Sequence, residues 1–418
     1  MTTLRRFPGL VTLVCLTGVV PAHANVVSDW NAVTLQYVSG DPNAIPAIPA
    51  GRGGPPGLLD IALVQAAVHD AVQAIEGRFQ PYHYADPSKL GDGSVEAAVA
   101  AAAHRALVLL YPGQQGALDA FYDDYLTTHA IDPLDPGVAV GEAAAVALHT
   151  THYRPVVALP NFFGGTNPGE WASAVPMSFL YLTVTEPFTL NRASQFRSPP
   201  PPPLNSVRYF REYEEVKILG SASAHPNLQT DFARFWSGAF WVQWNEVLRQ
   251  LGTSQSLNVG DSARLFALAN LAAADALIAV WESKRFYNFW RPEAAIQKGD
   301  SDGNARTVGD ITWKPFLPTP PYSDYVSGAN GLTGAYVGTL QLYFGTDEIT
   351  FSVTNLNPAV VTQERFYSRF SQAADEVVLV RILQGIHFRS AEEQGLRLGD
   401  RVAHWTFQKF LRPVPGSK

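Results

Sequence analysis

From Leu58 onward, apolar residues recur every three or four positions: Leu58, Ile61, Ala62, Val64, Ala67, Val68 and Ala71. That spacing is the buried stripe of an α-helix. The pattern returns near 94–111, 114–128 and 137–152, and after a long break near 205–220, 227–252 and 259–286. Alanine dominates the first group and is almost continuous from Ala97 to Ala103. Alanine favours helix and lets neighbouring helices approach closely. No region is rich in strand signals. The chain is therefore expected to be all-α, with two packed halves that each resemble a four-helix bundle, joined by long irregular connections.

The breaks in the pattern divide the chain. Residues 25–56 read as an extended lead-in, rich in Pro and Gly around Gly51-Arg52-Gly53-Gly54-Pro55-Pro56. Residues 155–203 hold Gly164-Gly165 and the run Pro199 to Pro203, an irregular connection suited to covering a site. This places an N-terminal helical half with its long loop at 25–203 and a C-terminal helical half at 204–418. The first 24 residues have the layout of a secretory signal: Arg5 and Arg6, the apolar run Leu10 to Val20, then Ala22-His23-Ala24. Export to a periplasm or the extracellular medium is expected. No later apolar stretch is long enough to suggest a membrane span. Removal of 1–24 takes away Cys15, the only cysteine, so no disulfide is expected. The formal net charge of −7 argues against a nucleic-acid binder, which needs a basic face.

Several local features read as structure. His69-Asp70, within an apolar helix, reads as a satisfied core contact. Phe235-Trp236, Phe240-Trp241 and Trp244 sit at helical spacing and read first as a core seam, second as the wall of a site entrance. Asp300-Ser301-Asp302-Gly303-Asn304 lacks the glycine placement and distal glutamate of a calcium loop and reads as a turn.

Chemistry concentrates between Lys284 and His387. Lys284 and Arg291 are seven residues apart, nearly two helical turns, so both are expected on one helix face, with Pro292 ending the helix at Arg291. Two cations on one face are unfavourable unless an anion joins them; the bland partners are Asp275, Glu282 and Glu293. Ser327-Gly328 opens a helix-like run and offers a hydroxyl and free N–H groups at the positive end of a dipole. Arg381 lies near the end of an apolar helix, where a buried guanidinium needs a counter-anion. Gly385 can turn the chain so that His387 faces the same place. Three cations, a hydroxyl, a bare N–H and an imidazole are the groups that hold a tetrahedral oxyanion.

The order and spacing Lys284-x6-Arg291-Pro292, Ser327-Gly328, and Arg381-x3-Gly385-x-His387 resemble the vanadium-dependent haloperoxidases and the related type 2 phosphatidic acid phosphatases. Ala274-Asp275-Ala276, Trp281, the segment Val64 to Ile75, and Arg234-Phe235-Trp236 are similar to the bacterial haloperoxidase branch. The resemblance covers most of 55–412. It implies a helical fold in which Lys284, Arg291 and Arg381 bind the equatorial oxygens of vanadate, or of phosphate in the same site. Ser327 and the Gly328 N–H complete that shell. His387 is then the axial ligand of vanadium, or the nucleophile toward phosphorus in a phosphatase. Hydrogen peroxide and a halide or small organic molecule are the implied substrates. No nucleic acid or membrane partner is expected after signal cleavage, and a homodimer is left open.

One departure bears on activity. Where the family motif reads Ser-Gly-His, this chain has Ala329. Losing a positioned acid/base costs about 10²–10⁴-fold in rate, with Asn330, Tyr325 and Asp324 as partial substitutes. Support for the His387 ring is expected from Ser390 or a backbone carbonyl. The leading reading is an exported peroxidase acting on bromide, iodide or an organic substrate rather than chloride. The alternatives are an acid phosphatase or phosphotransferase, or a weakly active oxyanion-binding relative.

Overall fold

Asn25 opens the first helix of the computed structural model, its side chain accepting from Ser28 N, and α1 runs Val26–Ser39. The model describes residues 25–40, 47–49, 51–224, 227–355, 357 and 360–416. The signal segment expected at 1–24 lies outside them. The extended lead-in expected at 25–56 is thus helical over its first part. Val27, Trp30, Thr34 and Val38 form the buried stripe, and the Gly/Pro cluster that breaks helix begins only at Gly51.

The described residues then form α2 (Gly57–Glu76), α3 (Val95–Leu110), α4 (Gln115–Thr128), α5 (Pro136–His152), α6 (Val207–Leu219), α7 (Asn227–Phe235), α8 (Phe240–Ser254), α9 (Val259–Tyr287), α10 (Pro292–Gln297), α11 (Gly328–Phe344), α12 (Phe370–Leu383) and α13 (Arg389–Lys409). Strands β1 (Phe351–Thr354) and β2 (Glu364–Tyr367) make an antiparallel hairpin. The fold is all-α apart from this ribbon. The single helix expected over 227–252 is two, separated at Ser237-Gly238.

Helices α2, α3 and α5 pack on one another, as do α9, α11 and α13, and α2 lies against α9. Both α2 and α9 are long and apolar enough to cross a membrane, yet each apolar window is wholly buried in the fold. The alanines allow this close packing.

The α11–α13 contact is tighter still. A Cβ on Gly399 would lie 2.0 Å from Gly331 O, and one on Gly334 would lie 2.2 Å from Leu396 O. Backbone touches backbone along this seam, which sets the N-terminus of α11 beside the N-terminus of α13.

The 155–203 connection contains no α-helix among the described residues and is tied to α9 by a carboxylate. Buried Asp275 accepts from Phe188 N and Thr189 N at 2.6 Å each, from Leu190 N at 2.9 Å and from Thr189 Oγ1 at 2.6 Å. Asp275→Ala leaves three buried N–H groups unpaired, and the expected cost is about 3–5 kcal/mol. A lowered urea midpoint, with first proteolytic cleavage inside 155–203, would bear this out. An unchanged midpoint would refute it.

His69 and Asp70 behave as a core contact. His69 Nε2 bonds Gln80 O at 3.1 Å, and Asp70 accepts from the N–H groups of Tyr82, His83 and Tyr84. Asp302 accepts from Asn304 N and Thr307 Oγ1, a turn as expected.

Candidate functional site

Helix α9 ends earlier than the Arg-Pro pair suggested. Asn288 caps it at φ 45°, and Asn288 O and Trp290 N pair with Trp171 N and Gly169 O of the long connection. Arg291 is the extended N-cap of the next helix, with Pro292 at its first position. Lys284 and Arg291 therefore do not share one helix face. The turn at Asn288 swings Arg291 across the end of α9.

The two cations still meet, both buried. Lys284 Nζ donates to Ser323 O at 2.8 Å and Asp324 O at 2.9 Å. Arg291 donates from Nε to Tyr322 O at 2.8 Å and from Nη1 to Ile386 O at 2.6 Å. None of the bland partners is used. Asp275 holds the long connection, Glu282 pairs with Arg197, and Glu293 pairs with Lys314 and Thr319.

Ser327 is the N-cap of α11 and accepts from Asn330 N at 3.4 Å. Arg381, in the last turn of α12, donates to Gln384 Oε1 at 2.7 Å rather than to a carboxylate. Gly385 turns the chain at φ 76°. A Cβ there would lie 2.2 Å from Gly220 O, so the turn requires glycine. His387 then arrives with Nε2 3.0 Å from Arg291 Nη1. A guanidinium only donates, so Nε2 must be the unprotonated acceptor and the imidazole is neutral. Burial, reinforced by Arg291, Lys284 and Arg381, holds the His387 pKa well below its ordinary value.

Two acids complete the cluster. His387 Nδ1 approaches Asp324 Oδ1 to 2.7 Å and Glu392 Oε1 to 3.5 Å, though none of these atoms completes a well-formed hydrogen bond. The ring thus faces Asp324, whose carboxyl lies closest and whose backbone carbonyl is also within hydrogen-bonding reach, and not Ser390. Ser390 N instead donates to Glu212. Of the substitutes for the missing histidine, Asn330 donates to Glu392 and Tyr325 donates to Pro199 O at 2.5 Å, which commits both elsewhere. Sequence reading passed over Glu392 and gave Asp324 only a minor part. Their signal was weak: an acid three residues before Ser327 and another five after His387.

Burial outweighs the neighbouring cations for both acids, pushing Asp324 up to about 8 and Glu392 up to about 7. Lys284 is driven well below its usual range by burial first and by Arg291 second. The sign of the pH effect follows. Both carboxyls stay protonated in the folded chain at pH values where the unfolded chain, with carboxyl pKa values of about 4, ionises. Stability from this source is full below pH of about 4 and is lost as pH rises toward 8. Urea midpoints of the oxyanion-free protein should fall between pH 5 and 8, and less steeply in Asp324→Asn. Equal slopes in the two proteins would contradict the assignment.

Unsatisfied buried atoms gather here: Arg291 Nη2, Arg381 Nε, both Asp324 oxygens, His387 Nδ1 and Glu392 Oε1. Buried polar groups are normally paired, so such a concentration marks a ligand site. The site opens to a cavity of about 440 Å³. Its floor includes Gly328, Ala329 and Arg381, and its walls include Phe240, Trp241 and Trp281. Of the aromatic run, Phe235, Trp236 and Trp244 are core while Phe240 and Trp241 face the cavity, so both readings of that run apply to different members.

Residues 264–416 match the family described as the VCPO second helical-bundle domain. The vanadium chloroperoxidase of Curvularia inaequalis is 24% identical over 188 residues, which is 37% of this chain and 30% of that protein's length. A crystal structure titled as the first bacterial vanadium-dependent iodoperoxidase superposes with a TM-score of 0.69 at 20% identity, covering 94% of this chain and 97% of that one. A holo-type bacterial vanadium-dependent chloroperoxidase gives a TM-score of 0.68 at 17% identity, covering 86% of this chain and 93% of that one.

Proposed function

From the match of residues 264–416 to the VCPO second helical-bundle domain and the buried oxyanion-type site, we propose that the chain is an exported peroxidase that oxidises bromide, iodide or an organic substrate with hydrogen peroxide at a vanadate held beside His387. The observation carrying this reading is the set of unsatisfied buried atoms around three buried cations and a neutral imidazole.

The residues fit an oxyanion. Lys284, Arg291 and Arg381 supply positive charge, Ser327 a hydroxyl and Gly328 a backbone N–H at the start of α11. His387 Nε2 offers a lone pair. Bound vanadate would supply a Lewis acid that polarises peroxide. In the halide reaction two electrons leave the halide, the peroxide O–O bond breaks, one oxygen becomes hypohalous acid, and the other takes up protons and leaves as water. Burial pushes Asp324 up to about 8, so it keeps its proton at neutral pH beside that site, while Glu392, at about 7, is shared between its two forms. Neither replaces a titratable side chain at position 329, where Ala329 presents only a methyl group to the cavity, which favours the easily oxidised halides over chloride.

Bromination of a phenol reporter, with and without orthovanadate, tests the reading. Vanadate-dependent turnover supports it, and its absence in fresh holo-protein refutes it. The same neutral Nε2 would serve as a nucleophile toward phosphorus, so an aryl phosphate arm identifies a phosphatase. Ala329→His should raise bromide turnover by about tenfold or more by restoring a positioned acid/base. Steady-state kcat measures it, and an unchanged kcat would show that the proton step does not limit this enzyme.

A further inference from the structure

The cavity over the site is larger than a halide needs. Its volume of about 440 Å³ lies in the usual range for a small organic ligand, roughly 300–1,000 Å³. The walls are built for a ring. Trp281 is held by its Nε1–H donating to Ser178 O at 3.0 Å and by Tyr322, whose ring centroid is 5.3 Å away. Its six-membered ring lies against Gly328, where an added Cβ would be 3.4 Å from Cζ3. Trp241 and Leu332 line the same space. Ala329 forms part of the floor, so any larger side chain there would take up substrate volume. The polar end of the floor is Arg381, whose guanidinium carbon is 5.6 Å from the Phe240 ring.

We propose that this cavity binds a phenol-class aromatic substrate directly, with its ring against Trp241 and Trp281 and its hydroxyl toward Arg381. Aromatic rings favour edge-to-face and offset contacts with indoles, and a neutral hydroxyl can accept from a guanidinium without the cost of burying a second charge. The assignment rests on the oxidising role given to the site, because the bound phenol takes the halogen from the hypohalous acid made there: the carbon–halogen bond forms, the halogen–oxygen bond breaks, and the displaced ring proton leaves with the hydroxide as water. A substrate held there reacts in one orientation, whereas a freely diffusing oxidant attacks every accessible ring position.

Isothermal titration of 2-naphthol into the purified chain, with no vanadate or peroxide present, tests the binding directly. One site is expected, with affinity about tenfold or more weaker in Ala329→Phe, which fills the floor, and in Trp241→Leu, which removes a wall. Gly116→Ala, on α4 outside the cavity lining and with nothing within 4 Å of the added Cβ, should bind like the parent, showing that substitution in itself is not the cause. Absence of binding to the parent chain, or affinity equal to the parent's in both Ala329→Phe and Trp241→Leu, overturns the proposal. Equilibrium dialysis of orthovanadate separates the two claims. Naphthol binding without vanadate binding removes the peroxidase reading and leaves the cavity assignment, and vanadate binding without naphthol binding does the reverse.

Discussion

His387→Ala is expected to abolish vanadate-dependent bromide oxidation, with a loss of at least about 10³-fold in kcat/KM, in the upper part of the range for losing a positioned acid/base group. The substitution removes the one unprotonated nitrogen lone pair that points into the cation cluster, at Nε2. It also leaves Arg291 Nη1 and the Asp324 carboxyl facing a small hole in a buried site. The three cations and the Ser327–Gly328 turn stay in place. Binding of phosphate should therefore weaken far less than turnover falls. Equilibrium dialysis of phosphate beside steady-state kinetics distinguishes the two effects. Retention of more than about one tenth of the activity would mean that His387 is structural. Loss of phosphate binding in parallel with activity would mean that the variant has collapsed.

Gly399→Ala is expected to be as damaging, through the fold. The new Cβ would lie 2.0 Å from Gly331 O and 2.6 Å from Ala335 N, both backbone atoms of α11. Backbone in the middle of a helix cannot rotate away, so α11 and α13 must separate. Overpacking of this kind costs about 3 kcal/mol or more, read as a lowered urea midpoint with an unchanged slope. The separation has a second consequence. Ser327 N donates to Ala391 O at 2.9 Å across this seam, and Asn330 bonds Glu392, so a shift of α11 carries the hydroxyl and the Gly328 N–H away from His387. Phosphate affinity should fall with stability. The control is Gly116→Ala on exposed α4, where an added Cβ meets nothing within 4 Å. It should be neutral or stabilising by up to about 1 kcal/mol. A stable Gly399→Ala protein with normal phosphate affinity would refute the link between seam and site.

The residues of the site were legible because their spacing is fixed by chemistry that a sequence can display. Cations seven apart, a Ser-Gly helix start and an Arg-Gly-His turn appear directly in the chain, and the structure brings Lys284, Arg291, Ser327, Arg381 and His387 into one buried cluster. What the spacing misjudged was the path between them. A seven-residue interval suggested one helix, but Asn288 takes a left-handed conformation and the long connection captures the backbone on either side of it. A pairing partner more than a hundred residues away leaves no local trace.

The same reason explains the other differences. The helix at 26–39 was hidden by the Gly/Pro cluster that follows it, although Asn25 and the buried stripe were present in the sequence. The aromatic run from Phe235 to Trp244 could not be divided between core and cavity wall, because helical spacing shows which residues share a face but not what that face meets. Asp275, apparently available to Lys284 or Arg291, is committed to three N–H groups of the 155–203 connection.

The sequence by itself determined the helical class, the cation set, the histidine and the alanine at 329, since each depends on residue type and near-neighbour spacing. Tertiary structure alone decided that His387 is neutral with Nε2 accepting from Arg291, that Asp324 and Glu392 stand against it, and that Ala329 floors an organic-sized cavity. Protonation, counter-charge and open volume are set by atoms from distant segments brought together at ångström distances, where burial outweighs the intrinsic pKa of each side chain.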